Sequence, residues 1–206
     1  MSDLDVGMIG ATAPGHYGVE GHGVTLAEIT IAAAWNVQGD PARAPFLAEA
    51  QRLFEVELPQ VPNTMARNVA WTACWLGPRS WLLVARAEAS SESRSAAFTA
   101  NRVALNDAGG ALFDVSASRV AFTVGGEHAA AVLAKGCPLD FHPRAFPAGQ
   151  CAQSVLGHVN ALICRPETAP AFTVMVPRSF AREVWRALCL SAAQFGYDVA
   201  PPAAWR

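Results

Sequence analysis

Charge is scarce in this sequence. Asp, Glu, Lys and Arg make up 16% of its 206 residues, while hydrophobic residues make up 52%. The first figure is well under the usual quarter. A chain so poor in charge either has a large core or covers part of its surface with a partner. The net charge is −2 and no basic run occurs, which argues against nucleic acid as the main ligand. No window of eighteen continuous apolar residues is present, so no membrane span is expected. The first residues include Asp3 and Asp5 and no positive n-region, so no secretory signal is expected either. The five cysteines, at 74, 137, 151, 164 and 189, are odd in number and form no C-x-x-C. That argues against a disulfide framework or a zinc ribbon and for free, mostly buried thiols in a reducing cytosol. No G-x-G-x-x-G follows a strand, so the chain shows no dinucleotide site of its own.

What is present is a chain of alternating strand and helix signals, long enough for one large domain or two subdomains with a proper core. Residues 1–23 are rich in glycine and contain His16 and His22. No strand precedes them and no G-K-[ST] follows, so a phosphate loop is not favoured. The expectation is a flexible arm, or an arm that orders on a partner. Val24–Gln38 has β-branched residues in partial alternation and predicts one long strand. Pro45 suits the first turn of a helix whose apolar face is Phe46, Leu47, Ala50, Leu53 and Phe54. Residues 69–76 and 81–86 flank Gly77-Pro78 and predict a hairpin carrying Trp71, Trp75 and Trp81. Core packing is the favoured role of these three rings, with a binding groove or partner face as the rival. Residues 90–108 predict a helix with capping serines at its start.

Phe113, Val115, Val120, Phe122 and Val124 alternate, with a break at residues 116–119. A short helix follows from Glu127 to Lys135, its end charges matched to the helix dipole and Gly136 its stop. A hairpin is expected about Gly157-His158, a strand at 172–176, and a last helix capped by Ser179 with Phe180, Val184, Leu188 and Phe195 on one face. The tail from Pro201 is read as irregular. The fold class is therefore α+β: two related subdomains, each a mainly antiparallel sheet covered by helices. The expected division is an arm at 1–23, a first half at 24–116 and a second half at 117–206.

Several residues invite a chemical reading. Cys137 with His142, and Cys151 with His158, are candidate nucleophile pairs, but a reactive thiolate needs a positioned base. Buried structural cysteine is the favoured alternative. Lys135 and Gly136 read as a helix end. His16 and His22 have no nearby cysteine or acidic cluster in the sequence to complete a metal site. Asp114, Ser116, Ser118 and Arg119 read as a structural motif in which Asp and Ser close a turn between strands. Arg119 would pair with Asp114 or bind an external carboxylate. No residue is assigned a catalytic, cofactor-binding or metal-binding role. Trp205, His16 and Tyr17 are the candidate partner contacts, since Trp205 lies beyond the last helix and tryptophan is enriched at interface centres.

Three runs carry a family resemblance: D-V-S-x-S-R-V from Asp114, G-G-x-x-A-x-x-V-L-A-K-G-C-P-L-D from Gly125, and H-P-R-A-F-P-x-G-x-C-A-Q from His142. Trp75-Leu76-Gly77-Pro78 with Trp81-Leu82-Leu83, and Val176-Pro177-Arg178-Ser179-Phe180-Ala181, add to them. Together they resemble the gamma subunit of heterotetrameric sarcosine oxidase and, more distantly, the folate-binding aminomethyltransferases of the glycine cleavage system. The resemblance implies an aminomethyltransferase folate-binding-domain-like fold and a cytoplasmic, non-catalytic subunit. Its partners would be the alpha, beta and delta subunits, chiefly the large flavin-bearing one. The implied reaction oxidises sarcosine to glycine, with the one-carbon unit passing to tetrahydrofolate. FAD, FMN and NAD are then associated with the alpha and beta subunits and zinc with delta, leaving none for this chain. Two alternatives stay open: the equivalent subunit of an N-methylglutamate-type dehydrogenase, and a free-standing folate-binding aminomethyltransferase-like protein. Some folate-binding relatives carry K-G-C-Y-x-G-Q-E, whereas here Pro138-Leu139-Asp140 follow Cys137. That departure weighs against the free-standing alternative.

Overall fold

The computed structural model describes residues 12–86, 91–167 and 171–205, with only the backbone of 91–94. In chain order the strands and helices are β1 (Gly15–Tyr17), β2 (Val24–Thr30), β3 (Ala34–Gln38), α1 (Ala44–Phe54), β4 (Met65–Arg67), β5 (Trp71–Gly77) and β6 (Ser80–Ala85). Then come α2 (Ser91–Asp107), β7 (Ala111–Asp114), β8 (Arg119–Gly125), α3 (Ala129–Ala134), β9 (Gln150–Leu156), β10 (Val159–Arg165) and β11 (Ala171–Pro177). The last are α4 (Ala181–Ala192), β12 (Tyr197–Val199) and β13 (Ala203–Ala204). They fold as α+β in two compact units, one of residues 31–117 with 204–205, the other of 12–30 with 118–203. No helix among the described residues is long and apolar enough to cross a membrane.

The unit at 31–117 is built on an antiparallel sheet in the order β4-β5-β6-β3-β7. Pro45 lies in the first turn of α1, and Phe46, Ala50 and Phe54 are its buried face. Aromatic rings fill this core. Trp35 meets Trp71 at 4.7 Å and Phe98 at 5.5 Å between centroids, and Phe46 meets Trp81 at 5.9 Å. Such pairs contribute about 0.5–1.5 kcal/mol each beyond their area burial. Trp81 is fully buried, and its Nε1 donates to Pro59 O at 2.7 Å. Trp71 and Trp75 pack against the same core. The tryptophan hairpin is thus core packing.

The other unit has the sheet order β1-β12-β2-β8-β11-β10-β9. β12 and β2 run parallel and the remaining neighbours antiparallel. Leu26, Phe122, Val132, Leu133, Ile163, Val174 and Leu188 form the centre of its core. The hairpin about Gly157-His158 and the strand following it are where the sequence predicts them.

Several expectations need correction. The single strand 24–38 is two strands, and they serve different sheets. β2 carries buried residues on both faces, Leu26 and Glu28 on one and Ala27 and Ile29 on the other, so its pattern lacks the alternation of a half-exposed strand. The division at 24 moves accordingly: β2 belongs with residues 118–203. Of the expected arm, residues 1–11 lie outside the described residues, but Gly15–Tyr17 is a strand paired with β12. Ser179 sits in a 3-10 turn at Arg178–Phe180, and α4 begins after it with Phe180 as its uncapped N-cap residue. Phe180 is partly exposed rather than on the buried face. The tail is not irregular, since it contains β13 and a buried Trp205. Ser90, the expected start of α2, lies outside the described residues.

Lys135 caps α3, and its Nζ donates to Ser191 O and lies 5.0 Å from the Phe195 ring. It therefore does more than answer the helix dipole. Leu133 is fully buried in the core. Leu133→Asp is expected to cost about 3–5 kcal/mol, by placing an unpaired carboxylate in that core. Lys135→Ala is expected to cost about 1 kcal/mol, because its contacts are exposed. Chemical denaturation of the two variants checks this ordering, and equal losses would contradict it.

Candidate functional site

The most concentrated set of polar groups lies where the glycine-rich segment meets β12. Two things hold that segment. One is close backbone approach. Val19 N donates to Ala193 O at 3.2 Å, and His128 N donates to Gly23 O at 3.0 Å. A Cβ on Gly18, whose φ is +86°, would sit 2.6 Å from Ala193 O. Gly196, with φ +67°, faces the carbonyls of Val19 and Gly21 with no room for a side chain. The glycines are there because two backbones touch. The other is aromatic. Tyr17 stacks on Tyr197 at 5.5 Å, with its hydroxyl donating to Ala13 O at 2.7 Å, and Trp185 Nε1 donates to Thr12 Oγ1 at 3.2 Å.

This docking brings together three groups that are far apart in sequence. His16 pairs in register with Asp198. Its Nδ1 is 3.0 Å from Asp198 Oδ1, and its Nε2 is 3.2 Å from Val19 O. His22 Nδ1 is 2.7 Å from Asp198 Oδ2. The two imidazoles lie 4.6 Å apart between centroids. Hydrogen bonds from His22 and then His16 hold the Asp198 carboxyl below its usual range. The sequence places no acidic cluster beside either histidine; the fold brings Asp198 to both from β12, which sequence reading missed.

Within the stacked pair, burial pushes Tyr197 up to about 12, helped by its hydrogen bond to Cys189, and burial also pushes the Cys189 thiol up. Both groups are held neutral, so neither is set up as a nucleophile.

The other candidate residues are tied into structure. Asp114 Oδ1 accepts from Ser116 N at 2.9 Å and from the Ser116 hydroxyl. Ser116 Oγ in turn accepts from Ala34 N at 2.9 Å. Ser116 and Ser118 bound the 3-10 turn that separates β7 from β8, and Arg119 opens β8, its carbonyl accepting from Arg178 at 3.4 Å. Among the described residues no ion pair joins Asp114 to Arg119. The Cys137 thiol meets Ser154 Oγ at 3.6 Å, while His142 Nδ1 accepts from Arg144 N. Cys151 sits at the start of β9, paired across from Cys164. His158 is in the turn at the other end, roughly 23 Å away along an extended strand, and pairs with Glu183 at 3.1 Å. Neither candidate Cys–His pair is therefore assembled, and the favoured reading of buried cysteines fits the burial of Cys137 and Cys151. Of the partner-contact candidates, His16 is exposed and Tyr17 half-buried. Trp205 is only 4% exposed, and its Nε1 has no partner among the described residues. Its burial is a correction, since the ring does not project from the end of the chain.

Comparison with known proteins gives a consistent result. The sarcosine oxidase, gamma subunit family matches residues 38–194. The chain is 34% identical over 143 residues to sarcosine oxidase subunit gamma of Corynebacterium sp. (strain P-1), covering 69% of this chain and 67% of that one. It is 32% identical over 161 residues to the same subunit of an Arthrobacter species, covering 78% and 75%. Among solved structures it is similar to a chain of the heterotetrameric sarcosine oxidase of Corynebacterium sp. U-96 in complex with pyrrole 2-carboxylate. There the TM-score is 0.75 at 27% identity, covering 86% of this chain and 88% of that one. It shares its fold with the glycine cleavage system aminomethyltransferase T of Bartonella henselae, with a TM-score of 0.59 at 16% identity, over 88% of this chain and 48% of that one.

A phenol held neutral in the folded state stabilises it fully below the unfolded pKa near 10, and that contribution is lost as pH rises toward 12. Absorbance at 295 nm is expected to show a phenol titrating near 12, absent in Tyr197→Phe. The wild type is expected to lose stability between pH about 10 and about 12 more steeply than that variant. Loss of equal slope in the two would contradict the assignment.

Proposed function

The chain belongs to the sarcosine oxidase gamma subunit family, and from that premise we propose that it is a non-catalytic subunit of a heterotetrameric complex. The complex oxidises sarcosine to glycine, with the one-carbon unit passing to tetrahydrofolate. The observation that carries this reading is the near end-to-end match, 86% of this chain on 88% of a chain in a heterotetrameric oxidase. The local chemistry supports it. The Lys135 ammonium is engaged by a carbonyl, Cys137 is buried against a serine, and the Asp114 carboxylate is occupied by Ser116. Groups committed in this way hold structure and do not turn over substrate.

The partners are the alpha, beta and delta subunits, chiefly the large flavin-bearing one, and FAD, FMN, NAD and zinc are carried by them. The cytoplasm suits five cysteines that form no disulfide among the described residues. A sister role in an N-methylglutamate-type dehydrogenase uses the same scaffold, because substrate choice resides in another chain.

Co-expression with the flavin-bearing subunits tests the proposal. This chain is expected to co-elute with them on size exclusion, and sarcosine-dependent activity is expected to require it. Purified alone, it is expected to show no flavin absorption. A chain that elutes as a monomer while the other subunits assemble with full activity would contradict the proposal.

A further inference from the structure

We propose that His16, His22 and Asp198 bind one divalent transition-metal ion of the zinc class, which fastens the glycine-rich segment to β12. The three groups are the set among the described residues whose ligand atoms converge, all within 4.8 Å of one another. Zinc bonds of about 2.0–2.1 Å to imidazole nitrogen and carboxylate oxygen set tetrahedral donors roughly 3.3 Å apart. Small rotations of three partly exposed side chains close that difference. Water would complete the shell.

The hydrogen bonding of His16 is the second observation. Its two ring nitrogens both face acceptors, Asp198 Oδ1 on one side and Val19 O on the other. A neutral imidazole has one N–H and serves only one of them. On either tautomer one ring nitrogen turns a lone pair toward an oxygen. A cation at Nδ1 relieves this while Nε2–H donates to Val19 O. A metal-bound histidine has this pattern: one nitrogen on the ion, and the other N–H donated to a backbone carbonyl that fixes the ring and its tautomer. His22 brings a second nitrogen to the other oxygen of the same carboxylate. Imidazole and carboxylate together suit zinc, nickel or copper better than magnesium or calcium. The site is structural: it joins residues 16 and 22 to residue 198 and closes β1 onto the sheet edge. It goes beyond the subunit assignment and does not depend on it.

The test uses the full-length chain without a histidine tag, stripped by a chelator, with Zn2+ and Co2+ as probes in equilibrium dialysis. The expected result is one equivalent bound per chain, with a visible cobalt spectrum and a raised thermal midpoint. Asp198→Asn and His22→Ala are each expected to weaken binding at least 10-fold and to abolish the midpoint shift. His158→Ala, which removes an exposed histidine from a different pair, is expected to leave binding unchanged. His22 is largely exposed, so His22→Ala reports on the site even where Asp198→Asn disturbs β12. Absence of saturable binding to the wild type, or equal affinity in the wild type and His22→Ala, would overturn the proposal.

Discussion

The unit that contains residues 118–203 depends on a backbone contact that only glycine permits. Residues 18–23 lie against residues 193–196, with Gly18 and Gly196 at positive φ and no space for a Cβ between the two backbones. This contact sets the register of β1 on β12 and feeds the chain into β2, which is held between β12 and β8. Residues near the start and near the end of the described chain thereby occupy neighbouring strands of one sheet. The 87 residues of the other unit, 31–117, are inserted between β2 and β8. Without residues 24–30 the sheet loses its link between β12 and β8, and Leu26 leaves the core.

The same geometry supports the scaffold role proposed above. Its polar side chains of chemical interest are spent locally. Asp114 and Ser116 close a turn, Ser116 also caps the start of β3, and Lys135 ties the end of α3 to a carbonyl in the last turn of α4. The fold is shared with an aminomethyltransferase, and these side chains are tied into it by hydrogen bonds. Low charge density fits this picture. A chain of 52% hydrophobic residues fills two cores and leaves modest polar surface.

Much of this was legible from the sequence, and what was not has physical causes. α1 and the hairpins at 77–78 and 157–158 are local, and periodicity with turn residues specifies them. Asp114 and Ser116 are two apart, so their turn is visible too. The break between β2 and β3 was missed because Ile31, Ala32 and Ala33 include no Gly, Pro, Asn or Asp to signal it. β1 was missed because its glycines mark close contact and not mobility, a distinction that depends on residues about 180 positions away. β12 is three residues long and carries no periodic signal. The His16–His22–Asp198 cluster inherits both failures, since it exists only when β1 and β12 are paired. Trp205 looked available because it follows the last helix, but position in sequence says nothing about where a short strand returns a ring.

The central claim is that the glycine-rich segment is an integral edge of the sheet in the chain by itself, before any partner arrives. Hydrogen exchange on the isolated full-length chain, followed by mass spectrometry, addresses it directly. The account predicts that the amides of Tyr17 and Val19, within Gly15–Gly23, exchange far more slowly than an unstructured peptide, with protection that rises and falls together with that of β12. Exchange of those amides at unstructured rates, with β12 still protected, would contradict it.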